Sequence, residues 1–398
     1  MQIELSQVHT LFLAVAVLMF GLYLIKKITF LNKFCIPAPV VGGFLFAILV
    51  FILRGLNIIE ISLDTSLQSL FMLLFFTSVG LGASFSLLWQ GGKILVIYWL
   101  ICGGIAFFQN TIAVLLAKVF DLHPLQGLMA GAPSLEGGHG GAAAFGETIE
   151  AMGIDSAITI GLAAATLGLI AGGITGGPVA KYLINKHNLK PDPSILNQQS
   201  ASAADDPAKP ITTNLIMQQI FLLTFCISLG VILSGYFSDL TDFVLPDYVG
   251  AMFVAVLVRN IIDRFKKPVY DQRSVSLIGD VALGIFLSMA LMSIQLWEIA
   301  NLALPILVIV VIQVIFMVLL AIFVGFRLLG KDFDAAVMMG GMTGHGLGAT
   351  PNAMANMDAI TKQFGPSPKA FLVIPIVGAF LVDALYIPIV VGFINYFS

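Results

Sequence analysis

Two stretches of this chain combine glycines, a histidine and polar side chains in a pattern suited to holding a small anion. One is Ser134-Leu135-Glu136-Gly137-Gly138-His139-Gly140-Gly141. The other is Thr343-Gly344-His345-Gly346-Leu347-Gly348-Ala349-Thr350-Pro351-Asn352. Glycine admits backbone shapes closed to other residues. Thr350 reads as a helix N-cap and Pro351 as a first helical residue, so a helix is expected to restart there. Its free N–H groups and positive dipole end then form an anion site without any Arg. Ser134 and Gly137 to Gly141 repeat this arrangement, with a second arm expected to start near Ala142. The candidate substrate-binding residues are Ser134, Gly137, Gly138, His139, Gly140, Thr343, Gly344, His345, Gly346, Gly348, Thr350 and Asn352.

A second set of residues suits a hard cation, which takes oxygen ligands. Asp383 stands inside an apolar run, where a carboxylate is costly and marks function by default. Asn352 and Asn356 lie four residues apart on one helix face. Glu136, Asp280, Thr77 and Ser78 complete the candidate sodium ligands. Gln109, Asn110 and Gln313 are mid-span amides better suited to interhelical hydrogen bonds. His139 and His345 read first as hydrogen-bonded structural residues, with a ligand or proton-coupling role as the alternative. Zinc is not expected, because no other ligands stand at metal spacing.

The elements that position these residues are membrane helices. Apolar residues make up 59% of the chain and charged residues 10%, with a mean hydropathy of +1.00. That excludes a soluble domain, which averages about a quarter charged, and no basic stripe suits nucleic acid. Cys35, Cys102 and Cys226 read as packing residues. Apolar runs of about 20 residues, the length of a span, fall near 9–25, 38–53, 66–87, 93–119, 154–184, 214–237, 247–263, 275–296, 301–328 and 369–395. The first is read as a retained helix rather than a signal peptide. The Gly-rich stretches sit between the fourth and fifth run of each half, near 124–152 and 334–361. Irregular backbone at membrane depth survives only where protein buries it or where it lines a polar cavity. Both stretches therefore read as re-entrant hairpins. From Asp334 to Gly341 the chain makes about two helical turns, or about 12 Å, which reaches mid-membrane. Gly172-Gly173 and Gly176-Gly177 read as packing glycines.

The halves are repeats. Val41-Gly42 matches Val249-Gly250, Trp89 matches Trp297, Ile94 to Ile97 matches Ile306 to Ile309, and Gly138-His139-Gly140 matches Gly344-His345-Gly346. The offset stays near 206 to 212 residues, so only loops differ in length. Basic residues favour an N-terminus outside: Lys26, Lys27, Lys93, Lys181, Arg259, Arg273 and Arg327 are then cytoplasmic, with Arg54 and Lys118 outside. Five spans per half is an odd number, so the second repeat is inverted, an arrangement tied to alternating access. The domains are 1–184, a cytoplasmic linker 185–213, and 214–398. The expected fold class is an all-α polytopic membrane protein of ten spans and two re-entrant loops, with both termini outside.

At these motifs the chain resembles the bacterial sodium/glutamate symporter family. The resemblance rests on Gly344-His345-Gly346-Leu347-Gly348-Ala349-Thr350-Pro351, Ala355-Asn356-Met357, Phe364-Gly365-Pro366, Val377-Gly378-Ala379-Phe380 to Asp383, and Gly137-Gly138-His139-Gly140. It implies sodium-driven uptake of L-glutamate at a bacterial inner membrane. It also implies a homodimer and an elevator motion, with the hairpin-bearing helices moving and spans one, two, six and seven as scaffold. The chain departs from the family pattern, in which small hydroxyl residues are usual at Glu136 and Gly141, Gly at Ala142, and an amide at Asp280.

The expected function is sodium-coupled glutamate symport, with Na+ as the coupling ion and no cofactor. A citrate-type carrier of dicarboxylates or hydroxycarboxylates is the nearest alternative. A sodium/proton antiporter using Asp280 and Asp383 is another. An enzyme is not expected, because neither His has a nucleophile beside it and no HExxH occurs. A passive channel is disfavoured by hairpins that enter from opposite faces.

Overall fold

The computed structural model describes residues 2–29, 31, 36–56, 58–191, 211–241, 243–265, 270–293 and 302–398. The middle of the expected linker and Trp297 fall outside these residues. In chain order the elements are β1 (Gln2–Leu5), α1 (Gln7–Lys27), α2 (Ala38–Gly55), β2 (Glu60–Leu63), α3 (Gln68–Gly82) and α4 (Phe85–Val119, kinked at Gly92). There follow α5 (Pro124–Leu128), α6 (Ala132–Leu135), α7 (Gly138–Ala151), α8 (Ala157–His187), α9 (Thr213–Thr241), α10 (Asp247–Phe265) and α11 (Gln272–Met292). Then come α12 (Ala303–Leu320), a π segment (Ala321–Gly325), α13 (Phe326–Leu328), α14 (Phe333–His345), α15 (Thr350–Phe364), α16 (Pro368–Ile376), a second π segment (Val377–Leu381) and α17 (Asp383–Phe397).

Seven described helices are long and apolar enough to cross a membrane, and α3 and α17 are shorter apolar helices. The protein is a multi-pass membrane protein. The one β feature among the described residues pairs β1 parallel with β2, Gln2 opposite Glu60 through Leu5 opposite Leu63. Both segments alternate polar and apolar residues, which is strand rather than helix patterning. Sequence reading missed them because the spans dominate the hydropathy.

The last apolar run is not one helix. It breaks at Val377–Leu381, where the Val382 N–H reaches back five residues to the Val377 carbonyl at 2.9 Å. Such π-bulges occur frequently at functional sites. Asp383 is the first residue of the helix that follows.

The hairpins also differ from expectation in their lengths. The first arm of the second hairpin runs on through Gly340, Gly341 and Gly344 to His345. Neighbouring helices bury those glycines, and Asp332 caps the arm's start by accepting from the Ala335 N–H at 2.7 Å. The irregular backbone is thus confined to 346–349. In the first hairpin the second arm begins at Gly138 rather than near Ala142. Gly138 takes φ +58, a left-handed turn open to glycine, and the helix follows at once.

Packing divides the helices into two groups. One holds α1, α2, α3, α9, α10 and α11; the other holds α4 to α8 and α12 to α17. The groups meet where α7 lies on α11 and where the second π segment lies on α3. The third and eighth spans therefore pack with the first, second, sixth and seventh, not with the hairpins as the scaffold expectation implied. Close seams bind them there: a Cβ on Gly80 would lie 2.4 Å from the Met252 carbonyl oxygen, and one on Gly279 2.1 Å from Ser78 Oγ.

Helix α8 is the element on which both hairpins rest. A Cβ on its Gly161 would meet Met129 and Ala142 of the first hairpin, and one on Gly168 would sit 2.4 Å from the Leu347 carbonyl oxygen of the second. At Gly176 it would lie 2.1 Å from Asn356 Nδ2 and 2.5 Å from the Gly340 oxygen, whereas Gly177 faces open space. Small residues let helix backbones approach this closely. Replacing Gly176 with Val is expected to cost about 1–3 kcal/mol through overpacking. Gly177→Ala should leave the melting temperature of the detergent-purified protein unchanged or slightly raised. Equal melting of the two variants would contradict this packing.

Candidate functional site

The two Gly-rich breaks meet. A Cβ on Gly138, at the first tip, would stand 3.0 Å from the Gly348 carbonyl oxygen of the second. Each tip is held at depth by amide side chains. Gln109 Nε2 donates to the Gly346 carbonyl at 2.7 Å, and Gln313 Nε2 donates to the Gln109 carbonyl at 2.7 Å. Asn110 Oδ1 accepts from the Ala132 N–H at 2.9 Å. The interhelical role expected of these three amides is what the structure shows, and they serve the hairpins specifically.

The N–H groups left open at the tips are distributed unequally. In the second hairpin the Asn352 and Ala353 N–H groups both return to the Ala349 carbonyl, at 3.0 and 3.3 Å, and Pro351 has no N–H. Ala349, not Thr350, is the N-cap residue, and Thr350 is already helical. The amide this arm can present is that of Thr350. In the first hairpin the Gly141 N–H bonds the Gly137 carbonyl at 2.9 Å. That leaves the successive amides of Gly138, His139 and Gly140, at the start of α7, without a backbone partner. The first tip, not the second, carries the larger set of backbone N–H groups without a backbone partner.

Several candidate side chains are turned to other work. Ser134 Oγ donates to the Met129 carbonyl, and Thr343 Oγ1 donates to the Gly340 carbonyl at 2.9 Å. Asn352 Nδ2 donates to the Leu169 carbonyl at 2.5 Å, and Asn356 Nδ2 donates to the Gly172 carbonyl at 3.0 Å. These two amides share a face, as expected, and that face is clamped to α8. Thr77 and Ser78 donate into their own helix, each at 2.6 Å. Asp280 is exposed on α11, in the other helix group. His139 Nε2 lies 3.0 Å from Thr166 Oγ1, the structural pairing expected of it. His345 is buried against Gly378 of the π segment, and its Nδ1 has no partner.

Two carboxylates converge near the first tip. Glu136 is 6% exposed, and neither of its oxygens has a hydrogen-bond partner. Asp383 acts on it electrostatically and hydrogen-bonds the Tyr386 hydroxyl. Tyr98 and Cys102 of α4 also feel the Glu136 charge. Sequence reasoning gave no role to Tyr98 or Tyr386 and read Cys102 as a packing residue. The available signal was spacing: Tyr98 and Cys102 stand at i and i+4, and Tyr386 three residues after Asp383. Among the described residues no cluster of three or more His, Cys, Asp or Glu could hold a metal ion.

A profile of the sodium/glutamate symporter family matches residues 3–366. The chain belongs to this family. A sodium/glutamate symporter of Escherichia coli (strain K12) is 42% identical to it over 383 residues, 96% of this chain and 95% of its own length. Another, of Haemophilus influenzae, is 41% identical over 389 residues, covering 97% of this chain and 96% of its own length. In this member of the sodium/glutamate symporter family, both tips fall within the matched residues and Asp383 lies beyond them.

A polar cavity of about 460 Å³ opens between the helix groups, lined by Gln68, Glu147, Glu150, Asp155 and Ser293 among others. Gln68 Nε2 and Ser69 Oγ donate across it to Glu147, at 3.0 and 3.2 Å. A larger cavity of about 750 Å³ lies away from the tips, between the distal ends of α8 and α15.

Gln109→Leu removes the donor to the Gly346 carbonyl and leaves that oxygen buried without a partner. The expected loss of stability is about 1 kcal/mol. A melt in detergent checks it, and a melting temperature equal to wild type would show that the second tip is held by other contacts.

Proposed function

We propose that the protein is a secondary active transporter, not an enzyme, that couples sodium entry to L-glutamate uptake across a bacterial inner membrane. The observation that carries this reading is the junction of the two tips at Gly138 and Gly348, in a chain of the sodium/glutamate symporter family. The backbone amides of Gly138, His139, Gly140 and Thr350 bind the substrate carboxylates. Ser134, Gly137, Thr343, Gly344, His345, Gly346, Gly348 and Asn352 shape the cradle. Sodium sits near Asp383. Asn352 and Asn356 keep an amide oxygen each for the ion, since their nitrogens are engaged. Thr77, Ser78 and Asp280 are lesser candidates, given the bonds and exposure described above.

The chain is read as ten spans in two inverted repeats, 1–184 and 214–398, around a cytoplasmic linker 185–213, with both termini outside. Each repeat carries a re-entrant hairpin, 124–152 and 334–361. Helices at all ten expected positions support this, as does a division that takes the first three spans of each half into one group and the last two with their hairpin into the other. In an elevator motion the hairpin group slides against the other group. The first, second, sixth and seventh spans supply the contact between two copies of a homodimer. The narrow meeting of the groups favours such sliding, because few close-packed contacts must break.

Uptake in proteoliposomes tests this function. Labelled glutamate should accumulate when sodium is higher outside, and unlabelled glutamate should compete better than citrate, aspartate or malate. Accumulation that ignores the sodium gradient sinks the reading. Asp383→Asn should raise the sodium concentration for half-maximal uptake about tenfold or more, the effect of losing about 1.4 kcal/mol of ion binding, while the protein still folds. Wild-type sodium activation in that variant would remove Asp383 from the ion site.

A further inference from the structure

Tyr386 brings the last span against the first tip. A Cβ on Gly137 would stand 2.5 Å from its hydroxyl oxygen and 2.6 Å from the Pro133 carbonyl oxygen; on Gly141 the distances would be 2.9 and 2.5 Å. The hydroxyl therefore sits in a notch open only because both residues lack a side chain. One turn back on the same helix is Asp383, whose carboxylate acts electrostatically on Glu136. Glu136 is buried, and neither carboxylate oxygen has a partner. The charged group that acts on it is another carboxylate. Around it, α4 contributes Tyr98 and Cys102, and α17 contributes Asp383 and Tyr386. Helix α8 packs there through Gly168 on Leu135, while its Lys181 and Lys186 stand more than three turns away. A buried carboxylate with no donor and no basic partner, acted on by a second carboxylate, is strongly unfavourable. A cation between them removes that penalty. Asp383 remains partly exposed, which leaves an approach to the sealed Glu136.

We propose that Glu136 and Asp383 form one monovalent-cation site bridging the first tip and the last span, filled by sodium with the Tyr386 hydroxyl as a further oxygen ligand. The proposal rests on the sodium-coupled reading above and adds an order of binding to it. Glu136 directly precedes the open amides of Gly138 to Gly140. Without sodium, its charge opposes an anionic substrate at those amides; with sodium bound, the repulsion is relieved and the tip is tied to the last span. Sodium must therefore bind first.

Thermal melts of the purified wild type and of Glu136→Gln test this, with sodium chloride against choline chloride and with or without glutamate. Binding to the native state raises the melting temperature. Sodium alone should stabilise the wild type, and glutamate should add to this only with sodium present. Glu136→Gln should need at least about tenfold more sodium for the same shift, and glutamate should now stabilise it in choline. Glu136→Asp, which keeps the charge, should retain the sodium shift in part. Equal sodium responses in the wild type and Glu136→Gln overturn the site, as does glutamate stabilisation of the wild type in choline. If Glu136→Gln does not fold, the wild type decides alone: no shift with sodium overturns the site. Failure of proteoliposome uptake with the sodium shift intact would sink the transport reading and leave the ion site standing.

Discussion

The structure depends on satisfying backbone polar groups where helices stop inside an apolar interior. A broken helix leaves carbonyl and N–H groups that lipid cannot pair. Here neighbouring helices supply amide side chains at those points. Gln109 covers the Gly346 carbonyl, Asn110 takes the Ala132 N–H, and Trp99 Nε1 donates to the Leu381 carbonyl of the π segment at 2.6 Å. Asn352 and Asn356 work in the reverse direction, from the hairpin to α8 carbonyls. What stays unpaired is then informative. The amides of Gly138 to Gly140 suit an anion, and the Glu136 oxygens suit a cation.

Close approach is the second condition. The glycines of α8 let both hairpins lie on one helix, so their two tips end at one point. A side chain at Gly168 or Gly176 would push the second hairpin off that seat. The same logic governs the notch that receives Tyr386 and with it the placing of Asp383 beside Glu136. The proposed anion and cation sites are thereby set next to each other. That proximity is what lets the occupancy of one alter the affinity of the other through charge, in a medium where screening is weak.

The division into two helix groups gives these sites a mechanical setting. The tips belong to one group, yet Gly140 of the first hairpin rests near Phe75 and Leu283 of the other. Across the polar cavity Glu147 is held by Gln68 and Ser69. The contacts across the cavity are polar and would exchange with water on sliding, whereas Gly140 on Phe75 and Leu283, and the Phe145 ring on Tyr248 at 5.7 Å, are apolar. Within each group the seams are backbone-close and apolar.

Hydropathy alone located the apolar helices, and the two Gly-rich interruptions marked the tips that the structure brings together. Asp383 was legible as an isolated charge in an apolar run, and Gln109, Asn110 and Gln313 as amides that hydrogen-bond between helices. These features are local in the chain, so composition and spacing report them. The start of the second arm at Gly138, the break at the π segment and the engagement of Ser134, Thr343, Asn352 and Asn356 with backbone carbonyls appear only in the folded chain. So does the pairing of Glu136 with Asp383. The grouping of α3 and α11 was equally hidden, because lipid-facing and protein-facing sides of such helices are both apolar and periodicity cannot tell them apart. The amino-acid sequence by itself determined that this is a membrane protein with two interrupted, glycine-rich sites. Only the tertiary structure decided that they meet, because that follows from which backbones can touch.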